Sequence, residues 1–148
     1  MVKELWLREI GGLKTAPVNG DVTLGIIRLE KVRSLCVQIN MTYNASATLG
    51  GSLKVYFSPT GEQGTYDTIP YGTEVINFTA NTTVRETIRI DPLPNENGYL
   101  KLIVTNADTT YTITNVVALA VLGYFEDAFK EASSDALKSE EAYKLGVS

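Results

Sequence analysis

Between Val22 and Tyr124 the chain is a succession of short Val, Ile, Leu, Thr and Tyr segments, broken at close intervals by Gly, Pro, Asn and Asp. Within the segments apolar and polar residues alternate. Leu35, Val37, Ile39 and Met41 fall on one side, and Ser34, Gln38 and Asn40 on the other. Leu53, Val55 and Phe57 repeat the pattern, as do Val84, Ile88 and Ile90, and then Leu100, Leu102 and Val104. A period of two marks strands with one buried and one wet face. The segment Glu74 to Thr79 is expected to turn Ile76 and Phe78 inward. The last long strand, Tyr111 to Leu122, places Ile113, Val117, Leu119 and Val121 together. Its other side becomes apolar at Val116, Ala118, Ala120 and Leu122, so a covering layer is expected there. Gly50-Gly51, Pro59-Thr60-Gly61, Pro70-Tyr71-Gly72, Pro92-Leu93-Pro94 and Asn97-Gly98 supply the turns. No helix-period segment interrupts the series, which excludes a parallel βαβ architecture.

The expected fold is all-β: an antiparallel β-sandwich over residues 21–123, with an N-terminal arm over 1–20 and a C-terminal helical tail over 124–148. The arm carries Leu5, Trp6 and Leu7, where alternation with Arg8 allows a short strand lying on the sandwich or on a neighbour, and is broken at Gly11-Gly12, Pro17 and Asn19-Gly20. The tail is rich in helix formers, with Phe125, Phe129, Ala132, Ala136 and Tyr143 on one stripe. Apolar ends of this kind need a partner surface. Leu5, Trp6, Leu7, Phe125, Phe129, Leu137 and Tyr143 are therefore the candidate oligomer or shell contacts.

At 148 residues the chain is long enough for a proper core without a metal or disulfide. Its formal net charge of −4 argues against a general nucleic-acid or anionic-membrane binder. No run approaches the ~20 apolar residues of a membrane span, and the charged N-terminus has no signal-peptide core. The expected site of synthesis is the cytoplasm.

The chemistry open to the chain is narrow. It contains no histidine and one cysteine. Cys36 lies in a strand-like run and reads as a small half-buried hydrophobe; with no histidine as activating base, a nucleophilic role is not expected. Lys54 and Lys101 read as outward strand lysines that discourage edge pairing. Glu62, Asp67, Glu74, Glu86, Asp91 and Glu96 are the acids that a carboxylate-pair mechanism would draw on. Four of them, Glu62, Asp67, Asp91 and Glu96, stand in turns, where acids serve solubility. The chain is expected not to be an enzyme and to need no cofactor. A structural Ca²⁺ would use Asp67 with Glu62, or Asp91 with Glu96. A carbohydrate site would use Tyr43, Tyr56, Tyr66, Tyr71 and Tyr99. Asn-x-Ser/Thr triplets begin at Asn40, Asn44, Asn77 and Asn81, and without a secretory signal they read as by-products of an Asn/Thr-rich β surface.

One stretch carries a more specific likeness. Val55-Tyr56-Phe57-Ser58-Pro59-Thr60-Gly61 leads into Thr65-Tyr66-Asp67-Thr68-Ile69-Pro70-Tyr71. There follow Val84 to Ile90, Tyr99-Leu100-Lys101-Leu102-Ile103-Val104-Thr105-Asn106, and Tyr111 to Val116. Over residues 50–122 the order resembles the small jelly-roll proteins of tailed-phage and archaeal virus particles, such as capsid decoration and head-fibre proteins. Carbohydrate-binding modules and discoidin-like domains share the same grammar. The resemblance implies a jelly roll, a place in the virion, and a homo-oligomer, often a trimer, seated on a capsid or other shell protein. It transfers no catalytic residue. The alternative is a carbohydrate- or cell-surface-binding β-sandwich module.

Overall fold

The computed structural model describes residues 2–94, 97–125 and 142–145, with side chains over 12–94 and 97–124. Nine strands occur among them: β1 (Val2–Ala16), β2 (Asp21–Arg28), β3 (Val32–Tyr43), β4 (Gly51–Ser58), β5 (Gly72–Val75), β6 (Thr83–Ile90), β7 (Tyr99–Asn106), β8 (Ile113–Phe125) and β9 (Ala142–Leu145). They form a five-stranded sheet in the order β6-β3-β8-β1-β9 and a four-stranded sheet in the order β2-β7-β4-β5. Every ladder is antiparallel. The ladders β1·β8, β2·β7, β3·β6 and β4·β5 are those of one long hairpin folded at its β4–β5 tip. Two further ladders, β3·β8 and β4·β7, close that hairpin into two sheets.

The inward rows meet between the sheets. Leu35, Val37, Ile39 and Met41 of β3 face Leu53 and Val55 of β4 and Leu100, Leu102 and Val104 of β7 in one buried cluster. Burying one such side chain is worth ~1.5–3 kcal/mol. Slipping β3 by one residue would turn its four outward, at about 6–12 kcal/mol. That rivals the whole stability of a domain, ~5–15 kcal/mol, so the alternation sets the register.

β8 departs from the expected alternation. Ile113 is buried, but so are Val116, Ala118, Ala120 and Leu122, while Val117, Leu119 and Val121 face outward and are half-buried. The cause is a bulge. Asn115 has φ 53°, and the register steps from Thr42↔Thr114 to Asn40↔Val117 on one side and from Ala16↔Ile113 to Lys14↔Val116 on the other. One extra residue in β8 against both neighbours inverts the parity of all that follows. The side that the sequence left in need of a cover is the core itself, and the opposite sheet covers it.

The ends also differ from expectation. The segment read as an arm forms β1, which pairs with β8 from Val2↔Phe125 to Ala16↔Ile113. Gly11-Gly12 does not end it, because the register shift between Ile10 and Lys14 takes up the extra residues, with Gly12 at φ +74°. At the other end Phe125 closes β8, and Ala142–Leu145, expected to be helical, form β9 against Leu5–Arg8. The helical expectation for 126–141 lies outside the described residues. β5 ends at Val75, earlier than expected: Ile76 is buried, but Phe78 is partly exposed, with its ring edge-on to Tyr43 at 4.9 Å.

The bulge makes a sharp prediction. Val116→Thr places an unsatisfied hydroxyl in the core and should cost ~1–3 kcal/mol. Val117→Thr, on the outward face, should stay within ~0.5 kcal/mol. Urea unfolding of both variants measures the difference, and the reverse order would mean that the strand lacks the bulge.

Candidate functional site

The outward face of the four-stranded sheet gathers aromatic and cationic side chains. β4 and β7 are its two inner strands, and Tyr56 stands directly opposite Lys101, with Ser58 opposite Tyr99 and Lys54 opposite Ile103. On the other side of β7, Ile26 is opposite Lys101 and Arg28 opposite Tyr99. The Lys101 ammonium lies 4.5 Å from the centre of the Tyr66 ring and 5.9 Å from that of Tyr56, within range of a cation–π attraction. Among the described residues Lys101 has no carboxylate partner. Arg28 is paired with Glu30.

Tyr66 reaches this face because the loop after β4 curls back over the sheet. Ser58 has an outward position yet is fully buried beneath that loop. Its Oγ accepts the amides of Thr60 (3.2 Å) and Gly61 (2.9 Å) and lies 2.5 Å from Thr65 Oγ1. Thr65 in turn donates to the Glu62 carbonyl at 2.5 Å. Gly61 sits at φ +77°, where a Cβ would meet the Tyr99 ring at 2.8 Å, so any other residue would be strained and would push the loop off the tyrosine. The amide of Asp67 then rejoins β4 at the Phe57 carbonyl (2.8 Å). Burial, and then the neighbouring Tyr99, raise the Tyr66 phenol above its ordinary range.

A second polar group closes one end of the sandwich. Asn106 and Asp108 are buried. Asp108 accepts the amides of Thr48 (2.8 Å), Leu49 (3.2 Å), Thr110 (2.8 Å) and Tyr111 (2.9 Å). Asn106 donates to the carbonyls of Pro17 (3.2 Å) and Tyr111 (2.9 Å) and accepts the Asp108 amide (3.0 Å). The loops β1–β2, β3–β4 and β7–β8 are thus tied to one point. The four backbone donors, led by Thr48, hold the Asp108 carboxyl far below the ordinary carboxylate range. The sequence did carry a signal: Asn106 and Asp108 continue the inward positions Leu100, Leu102 and Val104.

The residues singled out from sequence separate accordingly. Tyr56, Tyr66 and Tyr99 come together, but Tyr43 belongs to the core, where its hydroxyl accepts the Gly51 amide at 3.2 Å. Tyr71 lies apart and donates to the Pro92 carbonyl at 2.5 Å. Lys54 and Lys101 face outward as expected, but on inner strands, so they do not guard an edge. Cys36 is half-buried on the outer side of β3. Glu86 turns inward at the rim and accepts the Asn77 amide at 3.1 Å. Asn40 accepts from Arg85 Nε at 2.7 Å and Asn44 from the Ser46 amide at 2.9 Å. Glu62 and Asp67 are exposed, and Asp91 is ion-paired with Arg89 at 3.8 Å; Glu96 lies outside the described residues. No cluster of three metal-ligating side chains occurs among the described residues. No helix among them is long and apolar enough to cross a membrane. Of the candidate contacts, the backbones of Leu5, Trp6 and Leu7 pair with both β8 and β9, Tyr143 pairs with Leu7, and Phe125 pairs with Val2. Phe129 and Leu137 lie outside the described residues.

No family model matches the sequence, and no curated protein matches it. Solved structures do share the architecture. A chain of the infectious bursal disease virus particle is similar with a TM-score of 0.50 at 16% identity, over 83% of this chain and 32% of that one. A cleaved adhesin domain of Lys-gingipain from Porphyromonas gingivalis is similar at 0.45 and 17% identity, over 70% of this chain and 64% of that one. The PRD1 vertex protein follows at 0.38 and 15% identity, over 85% and 99%. This chain therefore spans about a third of the bursal virus chain and just under two thirds of the adhesin chain. At these identities the likeness is one of fold, and only the first score supports an argument even for that.

The Asp108 knot predicts an acid response. A carboxyl held low in the folded state contributes stability that is complete above the ordinary carboxylate pKa, ~4, and is lost as pH falls from there toward its own lower value. Asp108→Asn should lower the melting temperature at neutral pH and flatten its fall below pH ~4. Melts that keep the same acid slope in the variant would place the response elsewhere.

Proposed function

We propose that this chain is a non-enzymatic structural protein of a virus particle, a capsid-decoration or shell-associated subunit that assembles as a homo-oligomer, with a trimer favoured. The observation that carries this reading is the strand order. One long hairpin rolled so that β1-β8-β3-β6 faces β2-β7-β4-β5 fits an eight-strand jelly roll, an architecture that recurs in viral shells and in lectins. The likeness to the bursal virus particle chain supports the same fold.

Two surface features fit assembly. Among the described residues β5 is a sheet edge too short for extended pairing, but Val75 within it and Ile69 in the loop before it are 80% and 77% exposed; exposed apolar side chains of this kind fit a contact with a second chain. In the other sheet β1 carries Leu5, Trp6 and Leu7, β9 carries Tyr143, and Phe125 ends β8 beside β1, with Phe129 and Leu137 between Phe125 and Tyr143 in sequence. In this reading the protein resides in the virion and needs no cofactor. The second reading, a carbohydrate- or cell-surface-binding module, is favoured by the tyrosine–lysine face alone.

Light scattering on the size-exclusion peak should give a trimer mass, and deletion of 126–148 should lower the assembly state. A full-length protein that remains monomeric at high concentration overturns the shell reading and leaves the module.

A further inference from the structure

We infer that the outward face of β2-β7-β4 binds a carboxylate-bearing sugar, with Lys101 taking the carboxylate and Tyr56 and Tyr66 offering ring surface to the pyranose. The strand positions of this face carry Lys54, Lys101 and Arg28, of which Arg28 is paired with Glu30, against Asp21, on a chain whose net charge is −4. That acid stands at the far end, opposite Thr105, and is held by the Thr105 hydroxyl at 2.7 Å. The strand positions around Lys101 are therefore locally positive, which favours an anion there.

Lys101 is more than a surface charge. Its ammonium is placed by two rings, and no carboxylate among the described residues neutralises it. The Tyr66 ring is carried by a loop fixed through the buried Ser58 and its bonds to Thr60, Gly61 and Thr65. Cation and aromatic surface are thus set before a ligand arrives, which reduces the ordering cost of binding.

The choice between ligand classes follows from position. An extended acidic peptide binds best along an open edge, where main-chain groups are available. Here the site spans β7 and β4, whose backbones are already paired on both sides, so recognition falls to side chains alone. Phosphate would use the ammonium and leave the rings idle. A sugar acid uses both, its carboxylate on Lys101 and its C–H face on tyrosine. A shallow face of this kind gives weak binding per copy, strengthened when copies are arrayed.

Amide chemical shifts of the ¹⁵N-labelled full chain test the proposal, with 3′-sialyllactose, galacturonate, lactose and a penta-glutamate peptide each at about 20 mM, above the millimolar range of weak sites. At least one of the two sugar acids should shift Tyr56, Tyr66 and Lys101, and whichever binds identifies the source of the carboxylate. Lactose should bind at least about tenfold more weakly. Lys101→Met should remove the preference for the acid, Lys101→Arg should keep it, and Tyr66→Ala should weaken binding by about tenfold; urea midpoints confirm that each variant is folded. Absence of shifts with both sugar acids, equal binding of lactose, or tighter binding of penta-glutamate overturns it. None of these outcomes depends on oligomeric state, so failure here leaves the shell reading intact, and the reverse.

Discussion

Five of the described strands are bonded on both sides: β1, between β8 and β9, and four others on which the core depends. β3 is bonded to β6 and β8, β8 to β3 and β1, β7 to β2 and β4, and β4 to β7 and β5. A buried amide without a partner costs about as much as a buried leucine contributes, so an apolar row can be enclosed only where both flanks of its backbone are satisfied. The fully buried side chains Leu35, Val37, Ile39, Leu100, Leu102 and Val104 sit on two of these strands, β3 and β7. The remaining strands supply the flanks.

The flanks are shaped differently because their task differs. β5 is only four residues long, and β6 presents Arg85, Thr87 and Arg89 on its outer side. Short or charged edges resist indiscriminate pairing. At the sandwich end where the buried Asn106 and Asp108 lie, loop amides that would otherwise be enclosed without partners converge on a carboxylate. The opposite choice is made at Ser58, where a loop is drawn down over the outer surface and a tyrosine is delivered to a lysine.

The inward rows of β3, β4 and β7 were legible in the sequence because each is an uninterrupted alternation, and that of β6 because Glu86 breaks the row without changing its parity. The β8 bulge was not: Asn115 is flanked by β-formers, and only pairing with two neighbours reveals the extra residue. β1 was obscured by Gly11-Gly12, which local rules read as a break and the sheet absorbs as a shift in register. The tyrosines of the candidate site were named individually, yet their grouping around Lys101 rests on the β4·β7 register and on a loop that folds back, neither of which is a local property. Asp108 escaped notice because a buried acid resembles a turn acid until its four donors are seen.

The nesting of the ladders has a consequence for synthesis. The outermost pair, β1 with β8, joins the start of the described chain to its residue 125, whereas the innermost, β4 with β5, links near neighbours. During translation β1 must therefore wait, unpaired with β8, until the residues up to 125 have left the ribosome. Topologies dominated by such distant contacts close slowly, and the waiting strands are open to association with other nascent chains. The interval before β8 emerges is the time of greatest exposure to chaperones and to misassembly.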